Sequence, residues 1–245
     1  MDKTERLADI LKQSEDLCVF TGAGISVPSG IPDFRSAHGL YNSDSGYGYP
    51  PEQIISRSFF DAKPDLFYQF YKEKMLFPNA QPNDAHRFFA SLETADRHVS
   101  VVTQHIDGLH QAAGSTDVYE LHGSVHRNFC QNCGKAFTLE ELLKQPGVPK
   151  CDKCGGTIKP DVVLYEEPLN EGVVYGAITA IRRSDVLVVV GTSLVVYPAA
   201  SYLRFFSGEH LILINKSATA FDNAAEIAIN DDVVHVVHQL QQYGV

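Results

Sequence analysis

The chain has 245 residues, of which 44% are hydrophobic, and it carries a formal net charge of −10. This length and hydrophobic content are enough for one large domain, or for a large domain with a small insert. The negative charge argues against direct nucleic-acid binding and favours basic partners. The charged N-terminus and the lack of a long apolar run argue against a secreted or membrane protein, so we expect a cytoplasmic one.

Short apolar runs alternate with helical patterns along the chain. Runs rich in Val, Ile and Leu predict buried parallel strands at 17–20, 99–103, 117–121, 186–191 and 211–215, and helical periodicity predicts helices at 4–13, 84–93, 172–183, 198–206 and 232–242. This alternation is typical of a doubly wound α/β sheet, in which ligands bind at the carboxyl ends of the strands. The polar segments that follow the predicted strands should therefore converge on one crevice; they are TGAG, TQHIDGLH, LHGS, GTS and NKS.

The glycine-rich stretch TGAGISVPSGIPDFRS, residues 21–36, follows the first predicted strand but lacks the G-x-G-x-x-G spacing of a dinucleotide fold. Alone, it is either a tight turn or a phosphate loop in which Gly22 and Gly24 let backbone N–H groups approach a pyrophosphate. The segment GTS at 191–193 could add donors to the same phosphates. Asn215 suits hydrogen bonds to a ribose, although it is equally typical of a turn.

Four of the five cysteines form two C-x2-C pairs, Cys130 with Cys133 and Cys151 with Cys154. Four thiolates at this spacing predict a tetrahedral Zn²⁺ site, and a glycine after each pair allows a tight turn. The alternative is four free or disulfide-bonded cysteines. A site with four cysteine ligands has no open coordination position, so the zinc would be structural. The fifth cysteine, Cys18, lies in a predicted strand, and the odd count fits a reducing compartment.

Asp107 and His122 are the candidate catalytic residues, because each follows the end of a predicted strand. A single histidine is more often structural than functional. A histidine beside a glycine and near other polar strand ends is a better candidate for a general base, since imidazole accepts a proton near neutral pH. From position alone both interpretations stay open.

Taken together, these motifs resemble the sirtuin family. GAGISVPSGIPDFRS, TQHIDGLH, ELHGS, the paired cysteines, GTSLVVYPA and LILIN occur in the order and spacing of that family, from about residue 15 to 235. The resemblance implies an inverted Rossmann-like, doubly wound parallel sheet that binds NAD, with a smaller domain made of a zinc ribbon and a helical insert. The implied ranges are 1–35, 81–122 and 169–245 for the NAD domain, 36–80 for the insert with its cofactor loop, and 123–168 for the zinc ribbon.

The resemblance implies an NAD-dependent protein-lysine deacylase that produces nicotinamide, deacylated lysine and O-acyl-ADP-ribose. His122 would deprotonate a ribose hydroxyl, with His105 and Asp107 beside the reacting groups. The residues implied to contact NAD are Gly22, Ala23, Gly24, Val27, Asp33, Phe34, Arg35, Gln104, His105, Ile106, Asp107, Gly191, Thr192, Ser193, Asn215, Lys216 and Val233. The substrate peptide would lie as an added strand beside Val163, Tyr165, Val195 and Val196, which the residues alone suggest are core strand positions.

Three departures from the family pattern bear on function. His105 replaces the family Asn in T-Q-N-I-D-G, and Tyr165-Glu166-Glu167 replaces Phe-Gly-Glu at the peptide slot. Tyr71 and Lys74 stand where the desuccinylase branch has Tyr-x-x-Arg, and lysine is a weaker bidentate partner for a carboxylate, so we expect acetyl or another neutral acyl group. Two alternatives stay open, an ADP-ribosyltransferase and an NAD or ADP-ribose sensor impaired by His105. We expect a monomer.

Overall fold

The computed structural model describes residues 2–33, 39 and 46–245 of the chain. In chain order its strands are β1 (Asp16–Thr21), β2 (His98–Thr103), β3 (Asp117–Glu120), β4 (Gly123–Cys130), β5 (Ala136–Thr138), β6 (Ile158–Val162), β7 (Val186–Val190), β8 (His210–Ile214) and β9 (Ile227–Ile229). Its α-helices are α1 (Lys3–Gln13), α2 (Pro51–Ile54), α3 (Arg57–Ala62), α4 (Pro64–Phe70), α5 (Asp84–Ser91), α6 (Leu109–Ala112), α7 (Leu139–Leu143), α8 (Glu171–Arg183) and α9 (Val233–Gln242). Shorter 3-10 segments cover Ala23–Ile25, Val27–Ser29 and Ala199–Phe205, and a π-helical turn covers Tyr71–Met75.

Six strands form one parallel sheet in the order β3-β2-β1-β7-β8-β9. The five predicted strands all form, and the doubly wound fold class is confirmed. The chain moves outward from β1 to β3 on one side and from β7 to β9 on the other. The switch point therefore lies between β1 and β7, where open α/β sheets bind their ligands.

Helices cover both faces of this sheet because its central strands are apolar on both sides. In β1, Leu17 and Val19 face the core formed with α1, α5 and α9, whereas Cys18 and Phe20 face the core formed with α8 and the segment at 199–205. All four side chains are fully buried. Such two-sided burial produces the continuous apolar runs from which the strands were predicted.

Two expectations from the sequence differ from the structure in detail. The segment predicted as a helix at 198–206 is a 3-10 segment, in which the N–H and the hydroxyl of Ser201 both donate to the carbonyl of Pro198. This local bonding competes with the α-helical pattern. Strand β9 was not predicted, because its Ile-Ala-Ile run is too short to stand out. No helix within the described ranges is long and apolar enough to span a membrane.

A smaller module packs beside the sheet. It contains the antiparallel sheet β5-β4-β6 and the helices α2, α3 and α4, which share one hydrophobic core. Phe67 and Tyr68 of α4 are fully buried there, and the Tyr68 hydroxyl donates to the carbonyl of Ile158 in β6. The helical insert and the cysteine-bearing segment thus form one unit, although they are far apart in sequence.

Candidate active site

A crevice of about 1250 Å³ lies between the carboxyl ends of the parallel strands and the small module. Fourteen of the residues implied to contact NAD border it: Gly22, Ala23, Gly24, Val27, Asp33, Gln104, His105, Ile106, Gly191, Thr192, Ser193, Asn215, Lys216 and Val233. Asp107 borders a smaller cavity of about 120 Å³, which shares His105 and Ile106 with the crevice. Phe34 and Arg35 lie outside the described residues.

The glycines that follow β1 pack directly against the loop that follows β7. The N–H of Gly24 donates to the carbonyl of Gly191 at 2.8 Å, and the N–H of Gly22 donates to the carbonyl of Val190 at 3.0 Å. A Cβ on Gly24 would lie 2.7 Å from the Cα of Gly191, closer than real Cβ contacts allow. These two N–H groups are therefore engaged within the protein, and the glycines let two loops touch. The N–H of Ala23, between them, has no acceptor in the described part of the chain.

Asn215, just beyond β8, links the polar strand ends. Its Oδ1 accepts the N–H of Thr192 at 2.8 Å, and the Thr192 hydroxyl oxygen accepts Nε2–H of Gln104 at 3.2 Å. The buried Nδ2 of Asn215 finds no acceptor among the described residues. A buried donor without an acceptor costs about 1–3 kcal/mol. Asn215 thus organises a turn with one end of its amide and offers the other end to a ligand oxygen.

His122 is oriented by the backbone of the segment after β2. Its Nδ1 lies 2.9 Å from the carbonyl oxygen of Gln104. Because a carbonyl only accepts hydrogen bonds, Nδ1 carries the proton and Nε2 of the neutral ring is the basic nitrogen. His122 borders the crevice, so this base lies beside the strand-end loops.

Asp107 is held as an anion by its surroundings. Its carboxylate accepts the Ser26 hydroxyl at 2.6 Å and the N–H of Leu109 at 2.9 Å, and His105 Nδ1 lies 2.6 Å from Oδ2. Burial alone would raise the pKa of Asp107, but the charge of His105 and these hydrogen bonds outweigh it and hold the pKa well below its usual range. The bond to Leu109 also fixes the start of α6.

The four paired cysteines come together at one end of the small module, with all four sulfurs within 4.8 Å of one another. The Sγ atoms of Cys130 and Cys154 are 3.4 Å apart, and those of Cys133 and Cys151 are 3.7 Å apart. Tetrahedral Zn²⁺ with bonds of about 2.3 Å needs sulfurs about 3.8 Å apart, so the cluster fits the ion. Burial would raise the pKa of Cys130, but backbone N–H groups of Cys133 and Asn132 help to lower it to about 6, which favours a thiolate ligand.

Comparison with known proteins identifies the family. Residues 22–198 match the model of the Sir2 family. The chain belongs to the Sir2 family. It is 52% identical over 238 residues to an NAD-dependent protein deacetylase of Clostridium acetobutylicum, with 97% of each chain covered, and 43% identical over 236 residues to one of Staphylococcus aureus, with 96% and 97% covered. Among solved structures, a Sir2 complex with a p53 peptide and NAD⁺ has a TM-score of 0.86 at 39% identity, covering 100% of this chain and 99% of that one.

Three of the four residues predicted for the peptide slot of this sirtuin border the crevice. Val163, Tyr165 and Val196 border it, whereas Val195 is 56% exposed and is not among the lining residues. The N–H of Val163 donates to the carbonyl of His122 at 3.0 Å, which places this wall beside the base. The N–H of Tyr165 donates to Ile55 at 3.0 Å, so the same wall is tied to the helical insert.

Sequence reasoning missed several residues that support the sirtuin site. Ser26, which holds Asp107, follows Gly24 by two positions, and its place in the glycine loop was the available signal. His86 and His110 lie behind the site with their ring centroids 4.9 Å apart, and the Thr21 hydroxyl lies 3.0 Å from His110 Nε2. Burial lowers the pKa of His86 to about 4 and that of His110 to about 3. Both rings are therefore neutral at physiological pH.

Proposed function

We propose that the protein is an NAD-dependent protein-lysine deacetylase, which cleaves nicotinamide from NAD and transfers the acyl group of a modified lysine to the remaining ADP-ribose. The observation that supports this best is the position of His122, an oriented base in the same crevice as the loops that follow β1, β7 and β8. Solved relatives of the same fold bind a p53 peptide with NAD⁺ and a propionylated peptide.

Several hydrogen-bond donors at the strand ends have no acceptor among the described residues, and these donors suggest how the chain would bind NAD. The N–H of Ala23 and the hydroxyl of Ser193 lie at the ends of β1 and β7 and suit the phosphates. The Nδ2 group of Asn215 suits a ribose oxygen. The Asp107 carboxylate suits the nicotinamide amide, beside the backbone of Ile106. When bound, NAD supplies the electrophilic ribose carbon and the hydroxyls that accept the acyl group.

His122 would act on one of those hydroxyls. With Nδ1–H held by the Gln104 carbonyl, Nε2 is the nitrogen that would take the proton of a ribose hydroxyl, which makes that oxygen nucleophilic toward the acyl carbon. A positioned general base contributes about 10²–10⁴-fold to a rate. His122 is therefore proposed to serve the chemical step rather than the seating of NAD.

The acyl group is proposed to be acetyl or another uncharged group. Tyr71 does not face an acyl carboxylate, because its ring is fully buried and stacks on Phe67 with centroids 5.5 Å apart. Lys74 forms an ion pair with Glu73 at 3.0 Å. Neither Tyr71 nor Lys74 is therefore proposed to bind the carboxylate of a succinyl group.

The zinc is proposed to be structural, since four cysteines leave it no open position. The odd number of cysteines, four of them in two C-x2-C pairs, supports a reducing cytoplasm. The net charge of −10 supports a chain that does not bind nucleic acid directly. We further propose that the enzyme acts as a monomer on acyl-lysine proteins or peptides.

Mass spectrometry of the protein with NAD and an acetyl-lysine peptide tests the function. We expect the peptide to lose its acetyl group and O-acetyl-ADP-ribose to appear. Addition of ADP-ribose to the peptide or the enzyme would instead identify a transferase. Binding of NAD without any product would identify a sensor, the alternative that the His105 replacement raises.

A further inference from the structure

Glu166 borders the crevice in a backbone conformation that normally favours glycine. Its φ is 76°, and Leu194 is the one other non-glycine residue with positive φ in the described ranges. The Glu166 carboxylate accepts both the N–H and the hydroxyl of Ser58, each at 2.9 Å. These bonds tie the segment after β6 to the start of α3. The glutamate thus keeps the left-handed turn that a glycine would adopt without strain, and adds a fixed carboxylate to it.

No cation among the described residues pairs with Glu166, in contrast to its neighbour Glu167. Glu167 lies 3.1 Å from Arg57 and 2.9 Å from Lys159. Arg57 also pairs with Asp61 at 2.9 Å. Glu166 has no cationic partner in the described part of the chain and contacts the neutral Ser58. Among the described residues, two cations thus face three carboxylates here, and the exposed Glu166 presents the excess negative charge at the crevice.

The distance between Glu166 and His122 determines which residue of a bound substrate peptide Glu166 would contact. Val163, whose N–H donates to the carbonyl of His122 at 3.0 Å, lies three residues before Glu166. Three residues span at most about 10 Å. An extended peptide advances about 3.3 Å per residue. The segment is shorter than this limit because the N–H of Glu167 closes a turn on the carbonyl of Leu164 at 3.0 Å. A side chain up to three residues from the acylated lysine would therefore come within reach of Glu166.

We propose that Glu166 is a specificity-determining residue that selects substrates with an arginine or lysine up to three residues from the acylated lysine. This inference rests on the proposed deacetylase function. A fixed carboxylate without a cationic partner among the described residues attracts a cationic side chain.

Matched acetyl-lysine peptides that differ only in arginine or glutamine at these positions test the proposal. We expect the wild type to favour the arginine peptides by about fivefold in kcat/KM, mainly through KM, and the preference to shrink in about 1 M salt. Glu166→Gln keeps a hydrogen-bonding partner for Ser58 but removes the charge, so its ratio should fall to about one. Glu166→Gly should behave likewise. Glu209→Gln removes a carboxylate that is 82% exposed and outside the crevice lining, and should keep the wild-type ratio.

An unchanged preference in Glu166→Gln, or equal turnover of both peptides by the wild type, would overturn the role of Glu166 and leave the deacetylase function intact. Failure to deacetylate any peptide would overturn the proposed function instead. Fluorescence anisotropy of the labelled peptides measures binding without turnover. It supports the role of Glu166 if the arginine peptide binds more tightly to the wild type but not to Glu166→Gln, and overturns it if both proteins bind the two peptides equally.

Discussion

His122 and Thr192 are linked through a single residue, Gln104. The Gln104 carbonyl accepts the hydrogen bond of His122 Nδ1 at 2.9 Å, and its side-chain amide donates to the Thr192 hydroxyl at 3.2 Å. The proposed base and the loop after β7 are therefore positioned by the same residue. The bond between Gln104 and Thr192 does not involve the imidazole of His122. Removal of the imidazole should therefore leave the loop after β7 in place.

His122→Ala should lower kcat by about 10²–10⁴-fold, the usual contribution of a general base. The affinity for NAD should stay within about threefold of wild type, because the proposed proton transfer follows binding. Steady-state kinetics and calorimetric titration with NAD measure the two quantities. His238→Ala is the control, since His238 lies on α9 and contacts Asp84 at the surface. Turnover by His122→Ala at the control rate would show that another group is the base.

The protein should hold one tightly bound zinc per chain. Because the four sulfurs already lie within 4.8 Å of one another, the ion would contribute directly to the stability of the small module. Elemental analysis should find stoichiometric zinc in the wild type and much less in Cys154→Ala, which should also unfold at a lower temperature. Cys18→Ala is the control for zinc content, because Cys18 lies in β1, away from the cluster. Well-folded, active protein without zinc would contradict this role.

Gly24→Ala should separate the two loops that flank the switch point. The new methyl group would lie 2.7 Å from the Cα and 2.8 Å from the carbonyl oxygen of Gly191, both backbone atoms that cannot rotate away. We expect NAD affinity to fall by about tenfold or more, about 1.4 kcal/mol. Gly114→Ala is the control; it has a φ of 108° but no atom within 4 Å of the added methyl group, so it tests strain without the collision. Equal NAD affinity in wild type and Gly24→Ala would refute the proposed packing role.

The sequence predicted the large sheet well because its strands are continuous apolar runs, such as Leu17 to Phe20, that are buried on both faces. It also predicted which segments reach the crevice, since the carboxyl ends of parallel strands share one edge. The pairing between distant segments could not be predicted. The place of Ser26 in the glycine loop indicates that it lies near the crevice, but no local pattern indicates that it bonds Asp107 or that Ser58 bonds Glu166.

The glycines illustrate the same limit. A glycine permits close approach by either a ligand or another backbone, and the sequence does not distinguish the two. Gly22 and Gly24 were expected to let backbone N–H groups approach a pyrophosphate, with a tight turn as the alternative. Their own N–H groups donate to the carbonyls of Val190 and Gly191 at the end of β7. The N–H of Ala23, between them, has no acceptor among the described residues. The family resemblance implied that Ala23 contacts NAD, whereas the glycine pattern alone did not.

The free energy of unfolding should fall as the pH drops below about 6.5. His86 and His110 have pKa values lowered by burial to about 4 and about 3, so the unfolded chain binds their protons first. Stability is therefore lost below the unfolded pKa, by about 1.4 kcal/mol per pH unit for each histidine until the folded pKa is reached. Between about pH 7 and 5.5 the two together should cost about 2–3 kcal/mol.

Urea unfolding at several pH values tests this expectation. His110→Gln removes one titrating ring while keeping an amide near the Thr21 hydroxyl, so its pH slope should be about half as steep. The zinc thiolates also bind protons, but they are common to both proteins and do not affect the comparison. Parallel slopes for His110→Gln and wild type would rule out the buried ring as a source of acid sensitivity.

His105 replaces a family asparagine, and the structure places it at the junction of the crevice and the smaller cavity. It is 5% exposed, and its Nδ1 lies 2.6 Å from the Asp107 carboxylate. Asp107 keeps its hydrogen bonds from Ser26 and Leu109 whichever residue stands at position 105, so it should remain ionised near neutral pH in the asparagine form. The substitution His105→Asn therefore tests the imidazole itself rather than the state of Asp107.

We predict that His105→Asn raises kcat for deacetylation by about tenfold, about 1.4 kcal/mol in the activation free energy. An asparagine amide offers an acceptor and two donors, whereas a neutral imidazole offers one of each in a bulkier ring. The ring would therefore replace one of the hydrogen bonds proposed near the reacting carbon but not the full set. A protonated ring would also oppose the positive charge that develops on the ribose carbon. Single-turnover kinetics with acetyl-lysine peptide and saturating NAD measure the step, and His105→Ala serves as the control that removes the ring without adding an amide; it should be no faster than wild type. If His105→Asn is slower than wild type, or equal to it, the site has adapted to histidine and the replacement is not an impairment.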